Sequence, residues 1–240
     1  MRLVLVNPNT SASTTAMMVA VAKATAPDVE IQGLTAQTGE PLITSPAALA
    51  VAADAVKALA PELTDRQPDG VIISGFGDPG LERLREILSC PVTGIAEAAM
   101  AEAAEDGGRF AVVTTTPDLA SSIRDTAEAY GHGSVFAGVA LTKSDPVELM
   151  SDPVRLKDEL LAACRFAVAD LGAQTIIIGG GPLALAARNL RSRVEVPVIE
   201  PIPAAVRLAM ARAQEAARCD CWGGSAAAPG SRRGTRRRSV

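Results

Sequence analysis

The stretch "VIISGFGDPG", residues 71–80, decides the fold. A run of β-branched residues breaks into glycines and an Asp-Pro turn, the pattern of a buried parallel strand that delivers its C-terminal end to a binding site. A second stretch, "IIIGGGP" from Ile176, repeats it at an offset of 105 residues. Two further pairs keep the same order. "RLVLVNPNT" from Arg2 matches "RFAVVTTTP" from Arg109 at an offset of 107, and "PVTGIAEAA" from Pro91 matches "PVIEPIPAA" from Pro197 at 106. Three matches at nearly one offset indicate an internal duplication.

Strand candidates recur at 3–7, 29–35, 71–75, 92–96, 110–114, 135–141, 175–179 and 197–201. Between them run Ala/Leu-rich stretches with helical spacing, such as "SPAALAVAADAVKALAPEL" and "DPVRLKDELLAACRFAVADL". Strands alternating with helices predict an α/β fold with helix-covered parallel sheets. The expectation is two pseudo-twofold-related lobes, each a four-stranded parallel sheet flanked by helices, with a ligand cleft between them. The N-terminal lobe takes residues 1–100 plus part of 200–217, and the C-terminal lobe takes 101–200.

The 240 residues are 48% hydrophobic with a mean hydropathy of +0.21, ample for a buried core. Six aromatic residues argue against a stacking surface for bases or sugars. No apolar run approaches the roughly 18 residues of a membrane span, and "MRLVLVNPNT" enters a strand with no secretory pattern. A cytoplasmic protein is expected, with no membrane and no nucleic-acid partner. Four cysteines are too few and too irregular for a disulfide framework. One histidine, His132, rules out a multi-histidine metal site, and no metal is expected. Residues 218–240 hold six arginines and one aspartate, net +5, leaving −9 on the rest of a chain whose total is −4. Having almost nothing to bury, this basic tail is expected to be disordered.

In facing α/β lobes the ligand lies beyond the carboxyl ends of the strands. That places Asn7, Asn9 and Thr10 opposite Thr114, Thr115 and Thr116, and Ser74, Gly75 and Phe76 opposite Gly179, Gly180 and Gly181. Amides, hydroxyls and helix N-termini suit a small carboxylate or carbonyl compound, and bare glycine N–H groups suit an enolate-like oxyanion. Neither a dinucleotide nor a phosphate-loop glycine pattern is present, so no cofactor is expected. The residues leave the oligomeric state open, with a homo-oligomer compatible.

"LVLVNPNTS", "GFGDPGL", "PVTGIAEAA" and "VPVIEPIPAAV" together resemble the aspartate/glutamate/hydantoin racemase superfamily, nearest its hydantoin and allantoin racemase branch. The resemblance covers most of residues 1–212. It implies an isomerase without cofactor, acting on a small acid or cyclic ureide, in which two cysteines, one per lobe, move a proton on opposite faces of a carbon next to a carbonyl. In this chain those positions fall on Gly75 and Gly180, so both thiols are absent. Cys90 precedes a strand and Cys164 lies inside a helical stretch, so neither stands in. Three readings follow. Another residue moves the proton, with Asp78, Glu200 and His132 as candidates; or the cleft serves a lyase or cyclase that relies on orientation and charge stabilisation; or the protein is a non-catalytic small-molecule-binding relative. Restoring thiols through Gly75→Cys with Gly180→Cys is expected to bring back weak racemisation.

Overall fold

The computed structural model describes residues 1–105 and 107–223. The N-terminal half runs β1 (Arg2–Asn7), α1 (Ala12–Thr25), β2 (Glu30–Thr35), α2 (Pro46–Ala58), α3 (Ala60–Arg66), β3 (Gly70–Ile73), α4 (Leu81–Ile87), β4 (Val92–Gly94) and α5 (Ile95–Ala104). The C-terminal half runs β5 (Phe110–Thr114), α6 (Ala120–Ala129), β6 (Phe136–Leu141), α7 (Pro146–Met150), α8 (Pro153–Ala169), β7 (Thr175–Ile178), α9 (Ala184–Leu190), β8 (Val198–Ile199) and α10 (Pro201–Gly223). The strands pair in parallel in two four-stranded sheets of the same order, β2-β1-β3-β4 and β6-β5-β7-β8. This matches the duplication read from the sequence. The expected strands at 92–96 and 197–201 are shorter because helices α5 and α10 begin within them. Residues 218–223 continue α10, so the expected unstructured tail does not begin at 218. Its remainder, 224–240, lies outside the described residues.

Strand alternation builds the core in three layers. Because successive side chains point to opposite faces, Leu3, Leu5 and Ile72 face inward, as do Phe110, Val112 and Ile177 from the other sheet. These six share one buried cluster with Met18 of α1, Ile95 and Ala99 of α5, and Ala205 of α10. The alternate positions face outward. Val4, Val6 and Ile73 pack with Val56 and Leu63, while Val113 and Ile178 pack with Leu160 and Leu190. Helices α1, α5 and α10 therefore lie in a layer common to both sheets, and burying that layer holds the lobes face to face. One irregularity is visible: the β5–β6 register shifts at Phe110/Ala111, where Gly138, at φ +137°, absorbs the bulge.

A polar tie crosses the same boundary. Asp78 sits in the left-handed region at φ +50° and turns its carboxylate onto the start of α5. Oδ1 accepts from Ala96 N at 2.9 Å, and Oδ2 accepts from Glu97 N at 2.7 Å and from the Tyr130 hydroxyl, beyond the end of α6, at 2.8 Å. Gly94 makes room, since a Cβ there would overlap the Asp78 carboxyl group. Burial outweighs these donors and pushes the Asp78 pKa up to about 6. The neighbouring Glu97 carboxylate is clamped by Arg212 at 2.7 Å and Arg85 at 2.8 Å. Burial alone would raise its pKa, but the two guanidinium groups prevail and bring it down to about 2.

A folded pKa near 6 against 3.8 unfolded means that the folded state binds this proton more tightly. The associated stability is fully present below about 3.8 and is lost as pH rises through about 6. Between pH 7 and 5 the group should therefore add about 1 kcal/mol to wild-type stability. Asp78→Asn should lack that increment. His132, whose pKa burial lowers, opposes it over the same range, so the difference between the two proteins is the quantity to measure. Urea unfolding at both pH values checks it, and identical pH dependence would show that Asp78 ionises as freely as an exposed carboxyl.

Candidate active site

The carboxyl ends of β1, β3, β5 and β7 converge on one cavity of about 60 Å³, small enough to hold a few atoms without the loops opening. It lies where strand order reverses in each sheet, between the first and third strands of each repeat. Asn7, Asn9 and Ser74 through Phe76 come from one lobe. Thr114 through Thr116 and Gly179 through Gly181 come from the other.

Some of these polar groups are committed to local structure. Asn7 Nδ2 has Asn9 Oδ1 at 2.7 Å, Thr15 Oγ1 at 3.0 Å and the Ser11 carbonyl at 3.1 Å. Thr15 continues to Thr35 at 2.7 Å, so Asn7 ties β1, α1 and β2 together. Ser11, not Thr10, caps α1 by accepting from Thr14 N at 3.2 Å. Ser74 Oγ donates to the Val6 carbonyl at 2.8 Å. Thr114 and Thr116 share a hydrogen bond at 3.1 Å.

Other groups remain available to a ligand. Among the described residues, Asn9 Nδ2 and Thr115 Oγ1 have no protein partner, although both residues are buried. The backbone N–H groups of Gly75, Phe76, Thr115, Thr116, Gly180 and Gly181 also donate to no protein acceptor there. The cavity thus offers neutral donors from both lobes.

The glycines have separate reasons. A Cβ at Gly181 would run into the Ser74 carbonyl of the opposite lobe and lie 2.6 Å from the Met18 sulfur. One at Gly179 would lie 2.8 Å from Val112 and 3.1 Å from the Phe76 ring. Gly180 has φ +134°, a conformation that residues with side chains rarely adopt. At Gly75 a Cβ would meet Pro8 Cγ at 2.5 Å. In the present backbone the Pro8 contact at Gly75 and the φ of Gly180 oppose the thiols expected to work at these two positions.

Among the described residues, no titratable side chain lines the cavity. Asp78 is engaged at the start of α5. Glu200 opens instead into a separate cavity, with Arg191 3.5 Å away. His132 packs edge-on to Phe110, at the N-terminal end of β5 and away from the cleft. Thr10 is outside the lining as well, and its backbone N–H donates to the Glu40 carbonyl at 3.2 Å. The sequence placed Thr10, Asp78 and Glu200 near the cleft through proximity to strand ends and offered His132 for its titration range, and none of the four lines the cavity.

The sequence also left out an apolar wall. Leu42 and Ile43 from the loop after β2, Leu119, Ile123 and Met150 line the cleft with Phe76. The apolar pair inside the polar loop "TGEPLITSP" was the available signal. Met150, at the end of α7, carried none.

Known proteins share this fold. The family model for Asp/Glu/hydantoin racemase matches residues 3–209. A hydantoin racemase of Rhizobium meliloti is 32% identical over 217 residues, covering 88% of each chain. The solved allantoin racemase of Pseudomonas fluorescens superposes with a TM-score of 0.84 at 32% identity, covering 90% of this chain and 92% of its own. That of Klebsiella pneumoniae gives 0.83 at 32% identity, covering 88% and 86%. With the duplicated lobes and the shared cleft, these matches establish that the chain belongs to the Asp/Glu/hydantoin racemase family.

Proposed function

We propose that the protein is an isomerase-type enzyme that exchanges the proton on the carbon next to a carbonyl of a small, uncharged cyclic ureide. The observation that carries this reading is a cleft with backbone donors from both lobes, the Asn9 amide and, among the described residues, no charged side chain. A dicarboxylate would bring two charges among neutral donors, and among the described residues no cation lines the cavity to offset them. A cyclic ureide is neutral, and its carbonyl oxygens match N–H and amide donors. The relatives named for hydantoin and allantoin point to the same class. The apolar wall favours a ring substituent that is itself apolar over a polar one.

Without thiols at Gly75 and Gly180, water is the proton carrier in this reading. The C–H proton passes to water, and the electron pair moves onto the adjacent carbonyl oxygen, where the N–H groups stabilise the enolate. Water then returns a proton to either face, and return to the opposite face inverts the centre. No cofactor enters the scheme. Each well-placed donor contributes roughly 10²–10³-fold, so the acceleration should be modest beside that of a two-base enzyme. The lyase alternative has less support, because its substrate must carry a carboxylate into a cavity whose described lining offers neutral donors only. Non-catalytic binding is favoured by the same lack of an acid or base.

Deuterium exchange at the ring carbon of a 5-benzylhydantoin, followed by NMR against a buffer blank, separates these readings. Exchange above the blank, weaker for allantoin, is expected. Asn9→Ala and Thr115→Val should each cost about 1 kcal/mol of ligand affinity, a severalfold rise in Kd. Binding without exchange above the blank would leave a ligand-binding relative, and absence of both would remove the ureide.

The glycines supply a second test. Gly75→Cys with Gly180→Cys should lose stability, with Gly180→Cys alone costing on the order of 1–3 kcal/mol from its backbone. Urea unfolding measures the loss. A double variant as stable as wild type and racemising hydantoins would show that the loops relax to admit both thiols.

A further inference from the structure

A second cavity, of about 260 Å³, lies between the end of α1, α5, α9 and the start of α10. It is remote from the cleft. The N-termini of α1 and α9 adjoin the cleft residues Asn9 and Gly181, whereas Thr25 and Arg191, at the far ends of these helices, line this cavity. The length of α1 alone separates the two sites by about 20 Å.

The charges around it are unevenly satisfied. Arg207 and Glu102 complete each other, with Nη2 at 2.7 and 2.6 Å from the two carboxylate oxygens. Glu200 is different. Its side chain is 90% buried, yet among the described residues its carboxylate accepts no hydrogen bond, and its one ionic neighbour, Arg191, stands 3.5 Å away. Its oxygens face the cavity, so whatever occupies that space must supply their remaining hydrogen bonds. Arg191 is 70% exposed, and Arg188, one turn before it on α9, has no acidic partner among the described residues. The cavity thus holds an acceptor that lacks donors beside guanidinium groups that lack a full acceptor.

A single small molecule with both charges would satisfy both. An anion alone would face Glu200, and a cation alone would face three arginines. We propose that this cavity binds a zwitterionic α-amino acid, its ammonium group on Glu200 and its carboxylate on Arg188 and Arg191. Planar guanidinium groups suit carboxylates, and the volume, just below that of drug-sized pockets at roughly 300–1,000 Å³, suits a ligand of this size.

Calorimetric titration of the full chain with L-alanine, propionate and ethylammonium tests the assignment. L-Alanine should bind at millimolar concentration or better, and each half-ligand at least about tenfold more weakly, since each lacks one charged contact. Glu200→Gln and Arg188→Ala should each weaken L-alanine by about tenfold or more, while the cleft variant Asn9→Ala should leave it unchanged. If Glu200→Gln fails to fold by circular dichroism, the exposed Arg188→Ala and Arg191→Ala carry the test. No binding of L-alanine to the folded protein overturns the proposal. So does equal affinity for propionate, which marks a plain anion site, or binding abolished by Asn9→Ala and kept by Arg188→Ala, which moves it to the cleft.

Discussion

The backbone of Gly181 rests against the Ser74 carbonyl and the Met18 sulfur with no space for a side chain, and much of the molecule follows from that contact. It brings the two repeats into close backbone approach at the cleft. Beneath it the inner faces of both sheets bury Leu5, Ile72, Val112 and Ile177 in one apolar layer. That layer brings the sheets together, and the strand ends meet above it. Gly179 fits against Phe76 and Val112 for the same reason. A larger residue at either position would push the lobes apart and weaken the layer below.

Close backbone approach has a chemical consequence. A segment without side chains presents its N–H groups, and here those of Gly75, Gly180 and Gly181 are left without protein acceptors. The same bareness excludes acids and bases from the cavity. Among the described residues the cavity therefore combines free backbone donors with no titratable side chain. This is an unusual balance for the family resemblance, which implies a cysteine on each face.

The carboxylates that might have filled the gap serve the architecture. Asp78 spends both oxygens on the first turn of α5 and on Tyr130, joining a helix of one lobe to the segment after a helix of the other. Glu97, beside it, is neutralised by Arg85 and Arg212. Glu200 occupies the place equivalent to Gly94 in the second repeat, and there the symmetry breaks. Where the first repeat leaves room for an incoming carboxylate, the second supplies its own and turns it into a different cavity.

Strand positions, the duplication, the parallel order and the residues at the strand ends were legible in the sequence alone. Each rests on a short-range pattern: continuous β-branched runs, glycine and proline breaks, and helical spacing between them. Placing Asn9, Ser74, Thr115 and Gly180 around one space needed only the rule that ligands lie beyond strand ends. The direction of Asp78, Glu200 and His132 was not legible, because all three lie in connections between elements, where the chain has no period to fix where a side chain points. Asp78 is drawn to unpaired N–H groups contributed eighteen and nineteen residues later. The apolar wall of Leu42, Ile43 and Met150 likewise exists only once loops from distant parts of the chain lie side by side. Local periodicity thus determined the frame, while the chemistry of the cleft was decided by partners that only the folded chain brings within reach.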